Sequence, residues 1–245
     1  VPGKPITAKP DVMEHCRKGQ QDTSLLCDPD NILNGYMVMF GTGKYLSETD
    51  RTSTDSQYVF GIWDYGDDAD NNEYLGTFNE SGSPQLSNMD PDITLLEQTE
   101  VYNGTLGSYY LRVLSDNDPN WSVTCDTTTG QSADPDPAAK ANAGWYFKLP
   151  IAGERIIKDM IIRDRKLIYL TFTPDSSPCS GGGNSIIHEV NACTGSRLSQ
   201  AQFDINNDRQ VGSGDMIDIG LVDGSGNTVF VAPTGIRRPG MLHQP

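Results

Sequence analysis

Side chains that carry oxygen recur at every second position near the end of the chain, in the stretch DINNDRQVGSGD. Counted from Asp204, they occupy positions 1, 3, 5 and 12 of a twelve-residue loop, and position 7 offers a backbone carbonyl. The candidate ligands are Asp204, Asn206, Asp208, Gln210 through its carbonyl, and Asp215. Ca²⁺ takes about six to eight hard oxygen ligands, and a chain wound around it turns alternate residues inward, as in an EF-hand loop. The spacing therefore predicts a calcium loop over residues 204–215.

Two positions of this loop depart from the usual pattern. Position 6 is Arg209, where the sharp turn favours Gly, and position 12 is Asp215, which is shorter than the usual bidentate Glu. An Asp at the last position resembles the dockerin form of the loop. Position 9 is Gly212, which leaves room for a water. The alternative interpretation is a solvated turn rich in Asp and Asn that holds no ion.

Two other stretches alternate in the same way but are weaker candidates. They are Asp68, Asp70 and Asn72, and Asp116, Asp118 and Asn120. Neither has an acidic residue at the twelfth position, and Pro119 interrupts the second. Both are predicted to be polar turns.

The overall charge narrows the kinds of partner. The 245 residues include 18 Lys and Arg against 33 Asp and Glu, a formal net charge of -15. A negative field repels phosphate groups, so nucleic acid and anionic membranes are disfavoured and divalent cations are favoured. The alternative explanation of this negative charge is that it only keeps the protein soluble. No run approaches about eighteen uninterrupted apolar residues, so the sequence predicts no transmembrane helix.

The five cysteines fit no metal or redox motif. None forms a CxxC pair or an array with His at zinc spacing. Spacing favours two local disulfides, Cys16 with Cys27 and Cys179 with Cys193, and leaves Cys125 over. Five buried free thiols are the alternative, because sequence does not determine connectivity.

The elements around the loop are predicted to be short strands, since turn residues are abundant and long helical patterns are absent. Apolar runs at 35–46 and 57–63 and an alternating run at 107–115 indicate strands, whereas 93–103 suits either a helix or a strand. Residues 125–143 are polar and of low complexity, which predicts an exposed loop.

Four further runs follow that loop in close succession, and they indicate consecutive strands. They are GWYFKLP, ERIIKDMIIRD, KLIYLTFTP and NSIIHEVNACTG. Four strands in roughly 50 residues is the size of one propeller blade, and a sandwich sheet gives the same signal. The pattern predicts an all-β chain and leaves the architecture open.

Other motifs predict structure rather than chemistry. The GTGK at 41–44 lacks the spacing of a phosphate-binding loop and indicates a strand turn. His188 lies inside a predicted strand, so a structural role is favoured. No Ser/His/Asp set or carboxylate pair stands out as catalytic. Trp63, Trp121 and Trp145 are expected to pack in cores or between blades.

Several stretches, taken in order, resemble the PilY1/PilC family, the tip-associated adhesins and biogenesis factors of bacterial type IV pili. They are PITAKPDV, GYMVMFGTGKYL, QYVFGIWD, GWYFKLP with GERII, TFTPDSSPCSGGGNSIIHEVNACTG and FDINNDRQVGSGD. The resemblance runs over nearly the whole chain and is weakest at 65–140. An ordered set of this kind is more specific than any single motif.

The resemblance implies that residues 1–245 are a portion of one C-terminal β-propeller domain. The expected fold is all-β, with several four-stranded antiparallel blades and long irregular loops. The loop 204–215 is then the family's calcium loop, whose occupancy is linked to pilus extension and retraction. Cys179 fits the family's turn in which Pro-Cys precedes a Gly-rich segment.

Location and partners follow from the same resemblance. The expected protein is exported through the periplasm, lies at the pilus tip or cell surface, and acts with minor pilins and with host or abiotic surfaces. Both ends are extended and contain Pro, which suggests a fragment of a larger secreted protein. At about 40–45 residues per blade the chain makes at most roughly five blades. The remainder of the propeller is therefore expected in the same or another chain.

The favoured function is non-enzymatic: a calcium-binding propeller segment of an adhesin. Two alternatives stay open at this point. One is a propeller enzyme, quinoprotein dehydrogenase-like or carbohydrate-active, with a structural calcium, which predicts repeated Trp-docking motifs. The other is a dockerin-like structural calcium module, which predicts paired loops.

Overall fold

Strands make up most of the regular structure in the computed structural model, which describes residues 4–16, 35–64, 94–119, 121, 124–125, 132–133, 142–175 and 182–243. The strands are β1 (Asp11–Glu14), β2 (Tyr36–Gly41), β3 (Tyr58–Asp64), β4 (Thr94–Gln98), β5 (Glu100–Leu106), β6 (Tyr109–Leu114), β7 (Thr124–Cys125), β8 (Ser132–Ala133), β9 (Asn142–Lys148), β10 (Arg155–Ile156), β11 (Ile161–Arg163), β12 (Lys166–Pro174), β13 (Gly183–Asn191), β14 (Ile217–Val222), β15 (Thr228–Val231) and β16 (Gly235–Pro239). The helical elements are α1 (Glu48–Thr52) and a 3₁₀ turn (Ser213–Asp215). The all-β prediction is confirmed.

The first sheet has five strands in the order β1-β2-β3-β9-β4, with β4 parallel to β9 and the other pairs antiparallel. β3 and β9 are central, and most of their side chains on both faces are buried. A strand covered on both faces needs apolar residues at successive positions. This explains the unbroken apolar runs that the sequence shows there.

The second sheet has seven strands in the order β10-β12-β13-β16-β6-β5, with β11 also paired to β12. The four consecutive strands expected after residue 143 therefore do not share a sheet, since β9 lies in the first and β10 to β13 in the second. The 93–103 segment is also divided, because β4 belongs to the first sheet and β5 to the second. The chain passes between the two sheets at these points. Each of these sheets has more strands than a four-stranded blade.

Two hairpins complete the described strands. β14 pairs with β15, and β7 pairs with β8. The predicted loop 125–143 lies mostly outside the described residues, and its last two residues, Asn142 and Ala143, are buried at the start of β9. The predicted turn at 41–44 follows β2, where the Thr42 carbonyl accepts the Ile156 amide at 3.0 Å.

The main core contains all three tryptophans, as the sequence predicted. The Trp145 indole N–H donates to the Ala192 carbonyl at 3.0 Å, which satisfies its only polar atom in the interior. A Cβ on Gly61 or on Gly195 would lie within 2.4 Å of this ring. Gly195 also has a φ of +70°. These glycines are therefore required for the indole to fit.

A second core lies on the other face of the larger sheet. Along β6, Leu111 and Val113 belong to this second core and Leu114 to the main core. Successive side chains of a strand alternate between faces, so β6 serves both cores. The second core also holds Ile217 of β14 and Val231 of β15, which fasten the base of that hairpin to the sheet.

A fully buried arginine, Arg112, lies on β6 of the larger sheet, next to the edge strand β5. The Arg112 guanidinium makes a bidentate contact with Glu154, at 2.7 Å and 3.1 Å, and its Nε donates to Glu100 at 2.6 Å. Thr171 Oγ1 donates to Glu154 Oε1 at 2.6 Å. Burial lowers the pKa of Arg112, but the charges of Glu154 and Glu100 and the hydrogen bond to Glu154 together outweigh it, so the net shift is upward. The guanidinium is therefore held charged.

His188, for which a structural role was predicted, is buried beside this ion pair. Its ring stacks on Tyr169 with centroids 4.5 Å apart, and its Nε2 lies 3.4 Å from Arg112 Nη1. Burial, followed by the charge of Arg112, places the pKa of His188 well below its ordinary value. The imidazole is therefore neutral, and its Nε2 accepts from the guanidinium.

The disulfide pairing predicted from spacing is wrong. Cys16 is bonded to Cys193, with Cα atoms 5.8 Å apart and a sequence separation of 177. Neither cysteine therefore forms its expected local pair, Cys16 with Cys27 or Cys179 with Cys193. Spacing along the chain failed here because β1 and the turn after β13 meet only through tertiary packing. Cys27 and Cys179 lie outside the described residues.

No helix in the described ranges is long and apolar enough to cross a membrane.

We expect Glu154→Gln to reduce the free energy of unfolding by about 3 kcal/mol, because removing one member of a buried ion pair leaves the other charge uncompensated. Glu100→Gln is the matched control, since its side chain is 12% exposed whereas that of Glu154 is fully buried. Urea unfolding of both variants measures the difference. Equal losses would contradict a dominant role for Glu154.

Replacing Cys16 or Cys193 by Ser should lower the free energy of unfolding by about 5 kcal/mol, the chain-entropy value for a loop of this length. Peptide mapping without reductant identifies the pairing, and thermal unfolding measures the effect. A peptide joining Cys16 to Cys27 would overturn the connectivity. Cys27→Ser leaves the bridge intact and serves as the control.

Candidate metal centre

The predicted calcium loop links the second core to the hairpin β14–β15. Phe203 and Ile205 pack against the second core at the start of the loop, and Ile217 does so just after its end. Residues 206–214 between these anchors are exposed. The two ends are therefore fixed by apolar contacts, and the polar middle faces solvent.

The first half of the loop is wound by its own side chains. Asp204 Oδ1 accepts the Asn207 amide at 2.7 Å, and Asn206 Oδ1 accepts the Asp208 amide at 2.8 Å. Asp208 Oδ1 in turn accepts the Gln210 amide at 2.8 Å. Each alternate side chain thus turns back onto the backbone, as Asx-turns do. The alternation seen in the sequence is an alternation of turns, not of strand faces.

Position 6 of the loop adopts the conformation for which Gly is favoured. Arg209 has a φ of +69°, and its amide donates to Asp204 Oδ2 at 2.9 Å. The left-handed conformation costs a residue other than Gly about 1–2 kcal/mol. The sharp turn is therefore kept with arginine in place of glycine, and the hydrogen bond to Asp204 offsets part of the cost.

Asp215, the last residue of the loop, is buried and bonds to backbone amides at both ends of the loop. Its carboxylate is 1% exposed, and it accepts the amides of Ile205 at 2.8 Å, Asn206 at 3.3 Å and Gly212 at 2.9 Å. Burial raises the pKa of this carboxyl, but the three amide donors outweigh that effect, so the pKa is lowered from its ordinary value. Asp215 therefore joins the start of the loop to its end as an anion.

The oxygen donors suit a hard cation such as calcium. Asp204 and Asp208 bring carboxylates, Asn206 an amide oxygen and Gln210 a main-chain carbonyl. Both oxygens of Asp204, like both oxygens of Asp215, accept backbone amides. A carboxylate oxygen that accepts one amide keeps a second lone pair. Within the described ranges no three His, Cys, Asp or Glu side chains gather as a metal-binding group. An ion here would therefore depend on amide, carbonyl and water oxygens as well as on carboxylates.

The weaker alternating sets do not strengthen the case for further ions. Asp116 forms an ion pair with Arg197 at 3.3 Å, and Asp118 is exposed. Asn120 and the whole set Asp68, Asp70 and Asn72 lie outside the described residues.

Sequence reasoning missed one residue of this region. Tyr109, at the start of β6, donates its phenol hydroxyl to Asn207 Oδ1 at 2.6 Å. The two residues are 98 positions apart, so no local pattern connects them. The alternation along 107–115 indicates a strand, but it does not indicate which residue the Tyr109 hydroxyl contacts.

Curated proteins related to the chain share one name. Type IV pilus biogenesis factor PilY1 of Pseudomonas aeruginosa strain UCBPP-PA14 is 29% identical over 219 residues, which is 86% of this chain and 16% of that protein. The same factor of strain PAO1 is 30% identical over 179 residues, 70% of this chain and 14% of that protein. A PilY1 homolog of Xylella fastidiosa strain Temecula1 is 28% identical over 196 residues, 77% of this chain and 13% of that protein. The chain thus spans about one sixth or less of the length of these relatives.

A solved structure has the same fold. The crystal structure of the Pseudomonas aeruginosa PilY1 C-terminal domain aligns with a TM-score of 0.62 and 23% sequence identity. The alignment covers 96% of this chain and 40% of the solved one. The prediction of an all-β fold of propeller type is confirmed. No protein-family model matches the chain.

Asp215→Asn should destabilise the protein by about 1–3 kcal/mol even with calcium removed, because buried amides lose an anionic acceptor. The folded pKa of Asp215 lies below the ordinary 3.8. Its contribution is therefore present above that pH and is lost as the pH falls through the folded pKa. Thermal unfolding in EDTA at pH 7 and pH 3 tests both statements. Asp208→Asn, at an exposed position, is the control, and an equal loss in both variants at pH 7 would contradict the role of Asp215.

Proposed function

Because the chain belongs to the PilY1 family, as a fragment of the C-terminal domain, we propose that it is a calcium-binding, non-catalytic propeller segment of an adhesin that supports type IV pilus assembly. The relatives that carry the name are type IV pilus biogenesis factors. Since the chain spans only a small part of them, the pilus role is assigned to the protein of which this segment is a part.

The observation that carries the calcium proposal is the conformation of residues 204–210. Arg209 holds a left-handed φ of +69° at the position where this class of loop turns sharply. Asp204, Asn206 and Asp208 are each placed by hydrogen bonds to backbone amides further along the loop. A polar turn that served solubility alone would not need arginine in this conformation.

Asp204, Asn206, Asp208 and the Gln210 carbonyl would hold the ion, with Asp215 closing the loop below them. Calcium would balance the negative charges of Asp204 and Asp208, because Arg209 is the only basic residue in the sequence of the loop. Without it these two carboxylates repel each other across a short turn. Extracellular modules bind calcium at about 10⁻⁴–10⁻³ M, which suits a site with few carboxylates.

Calcium would in this way stiffen the segment that leads into the hairpin β14–β15. The proposed consequence is a hairpin held in one orientation, in a form that favours attachment and controls pilus extension and retraction. The proposed partners are minor pilins at the pilus tip and a host or abiotic surface.

The disulfide supports export. Disulfides persist in the periplasm and outside the cell and are rare in the cytosol. A bridge between Cys16 and Cys193 therefore fits a protein that passes through the periplasm to the pilus tip or cell surface.

The remainder of the propeller is proposed to lie in the same or another chain. This segment covers 40% of the solved C-terminal domain that it resembles. A ring of blades closes only when the other part of that domain is present.

Calcium added to the EDTA-treated protein should raise its melting temperature, because a ligand at 100 times its Kd stabilises the native state by roughly 2.7 kcal/mol. For a chain of this size that is about 5–10 °C. Asp208→Ala should abolish the rise, whereas Asp116→Ala, in the weaker alternating set, should keep it. Differential scanning calorimetry measures all three proteins.

The pilus role needs the same substitution in the complete protein of the producing bacterium. Surface attachment and pilus number should fall in Asp208→Ala and in wild-type cells treated with EDTA, and Asp116→Ala should resemble the wild type. A defect in the variant that EDTA does not reproduce would argue against a calcium mechanism. A flat melting curve for the wild-type chain would remove the calcium site itself.

A further inference from the structure

Tyr109 connects the proposed calcium loop to the larger sheet. Its hydroxyl donates to Asn207 Oδ1 at 2.6 Å, and its ring packs against the second core, which also holds Phe203 and Ile205. These two residues lead into the loop. The tyrosine therefore contacts the loop at Asn207 through its hydroxyl and packs against the same core as the loop's first residues.

The ring of Tyr109 is also held from the neighbouring strand. The Arg238 guanidinium of β16 lies 5.0 Å from the ring centroid, a cation–π arrangement. β16 pairs with β6 through Gly235 with Arg112 and Ile236 with Leu111. The position of the Tyr109 hydroxyl is thus set by two strands of the sheet and not by the loop that it contacts.

Asn207 is the residue through which this contact acts on the loop. It lies between the candidate ligands Asn206 and Asp208, has a φ of +63°, and donates its amide to Asp204 Oδ1. Asn tolerates the left-handed conformation better than most residues, but that conformation is still a minority state in a free chain. A partner for its side chain favours the one backbone arrangement in which Asp204 and its neighbours accept amides from within the loop.

We propose that Tyr109 is a positioning residue of the calcium loop: by holding Asn207, it keeps the loop wound in the absence of the ion and so raises calcium affinity. This inference rests on the proposed calcium function. An ordered loop binds more tightly than one that must be ordered on binding, because the entropy of ordering has already been lost. Tyr109 itself donates no ligand.

The chain offers a matched control in the next residue. Tyr110 lies on the opposite face of β6, since side chains alternate along a strand. Its ring stacks with the Arg237 guanidinium at 3.6 Å. Tyr110→Phe therefore removes the same hydroxyl from the same strand on the face away from the loop.

The experiment compares wild type, Tyr109→Phe and Tyr110→Phe in three measurements. Calorimetric titration with calcium chloride gives the Kd, thermal unfolding in EDTA gives the stability, and hydrogen exchange in EDTA follows the Asn207 and Arg209 amides. Tyr109→Phe should weaken calcium binding about two- to tenfold, the usual effect of one neutral hydrogen bond. Both amides should also exchange faster, and the melting temperature in EDTA should fall by no more than about 6 °C, the equivalent of one hydrogen bond. Tyr110→Phe should match the wild type in Kd and in exchange.

An unchanged Kd in Tyr109→Phe overturns the proposal, and so does a lower melting temperature in EDTA with the Kd unchanged, because that result describes structural support alone. If the wild-type chain does not bind calcium, the proposed function fails. Exchange in EDTA then still decides whether Tyr109 orders the loop: equal rates in wild type and Tyr109→Phe overturn it, and faster rates in the variant support it.

Discussion

Arg112 carries a full positive charge into the interior, and much of the surrounding structure serves to neutralise it. The charge is matched by Glu154, from the turn before β10, and by Glu100, from the start of β5. Desolvating such ions costs several kcal/mol each, and their attraction repays this only when geometry and remaining hydrogen bonds are good. The bidentate contact and the Thr171 hydroxyl meet that condition. The segments that bear these groups are therefore required to meet at one point, which limits how the larger sheet can be assembled.

The same strand connects this buried charge to the proposed metal loop. Arg112 and Tyr109 are both on β6, three positions apart, and they face opposite sides of the sheet. Arg112 and its ion pair thus lie on one face of β6. The other face of β6 contacts the second core, which includes the base of the hairpin β14–β15, and contacts Asn207 through Tyr109. A change in the loop reaches β6 through Tyr109 and through the second core, whereas the ion pair keeps β6 in place.

Features with a local cause could be predicted from the sequence. The strands β2, β3, β6 and β12 follow from runs of apolar or alternating residues, and the loop 204–210 winds through hydrogen bonds between residues two to five apart. The burial of the tryptophans follows from their size and apolar character.

Features that depend on distant partners could not be predicted. Glu154 is one polar residue at the start of a predicted strand, and nothing near it identifies Arg112, 42 positions earlier, as its partner. Parallel pairing of β4 with β9 and the separation of β9 from β10–β13 depend on how the two sheets assemble. The Cys16–Cys193 bridge and the Tyr109–Asn207 contact each join two residues that are far apart in the sequence.

The bridge from Cys16 to Cys193 also changes what proteolysis can do to this domain. It encloses the first sheet after β1, most of the second sheet and every chain segment between them. A protease outside the cell that cuts once between these cysteines produces two fragments that remain covalently joined. Their strands are still hydrogen-bonded within common sheets, so a nicked molecule keeps its fold and its proposed calcium loop. The covalent closure thus protects the domain against the loss of a fragment, a form of durability separate from its resistance to heat or denaturant.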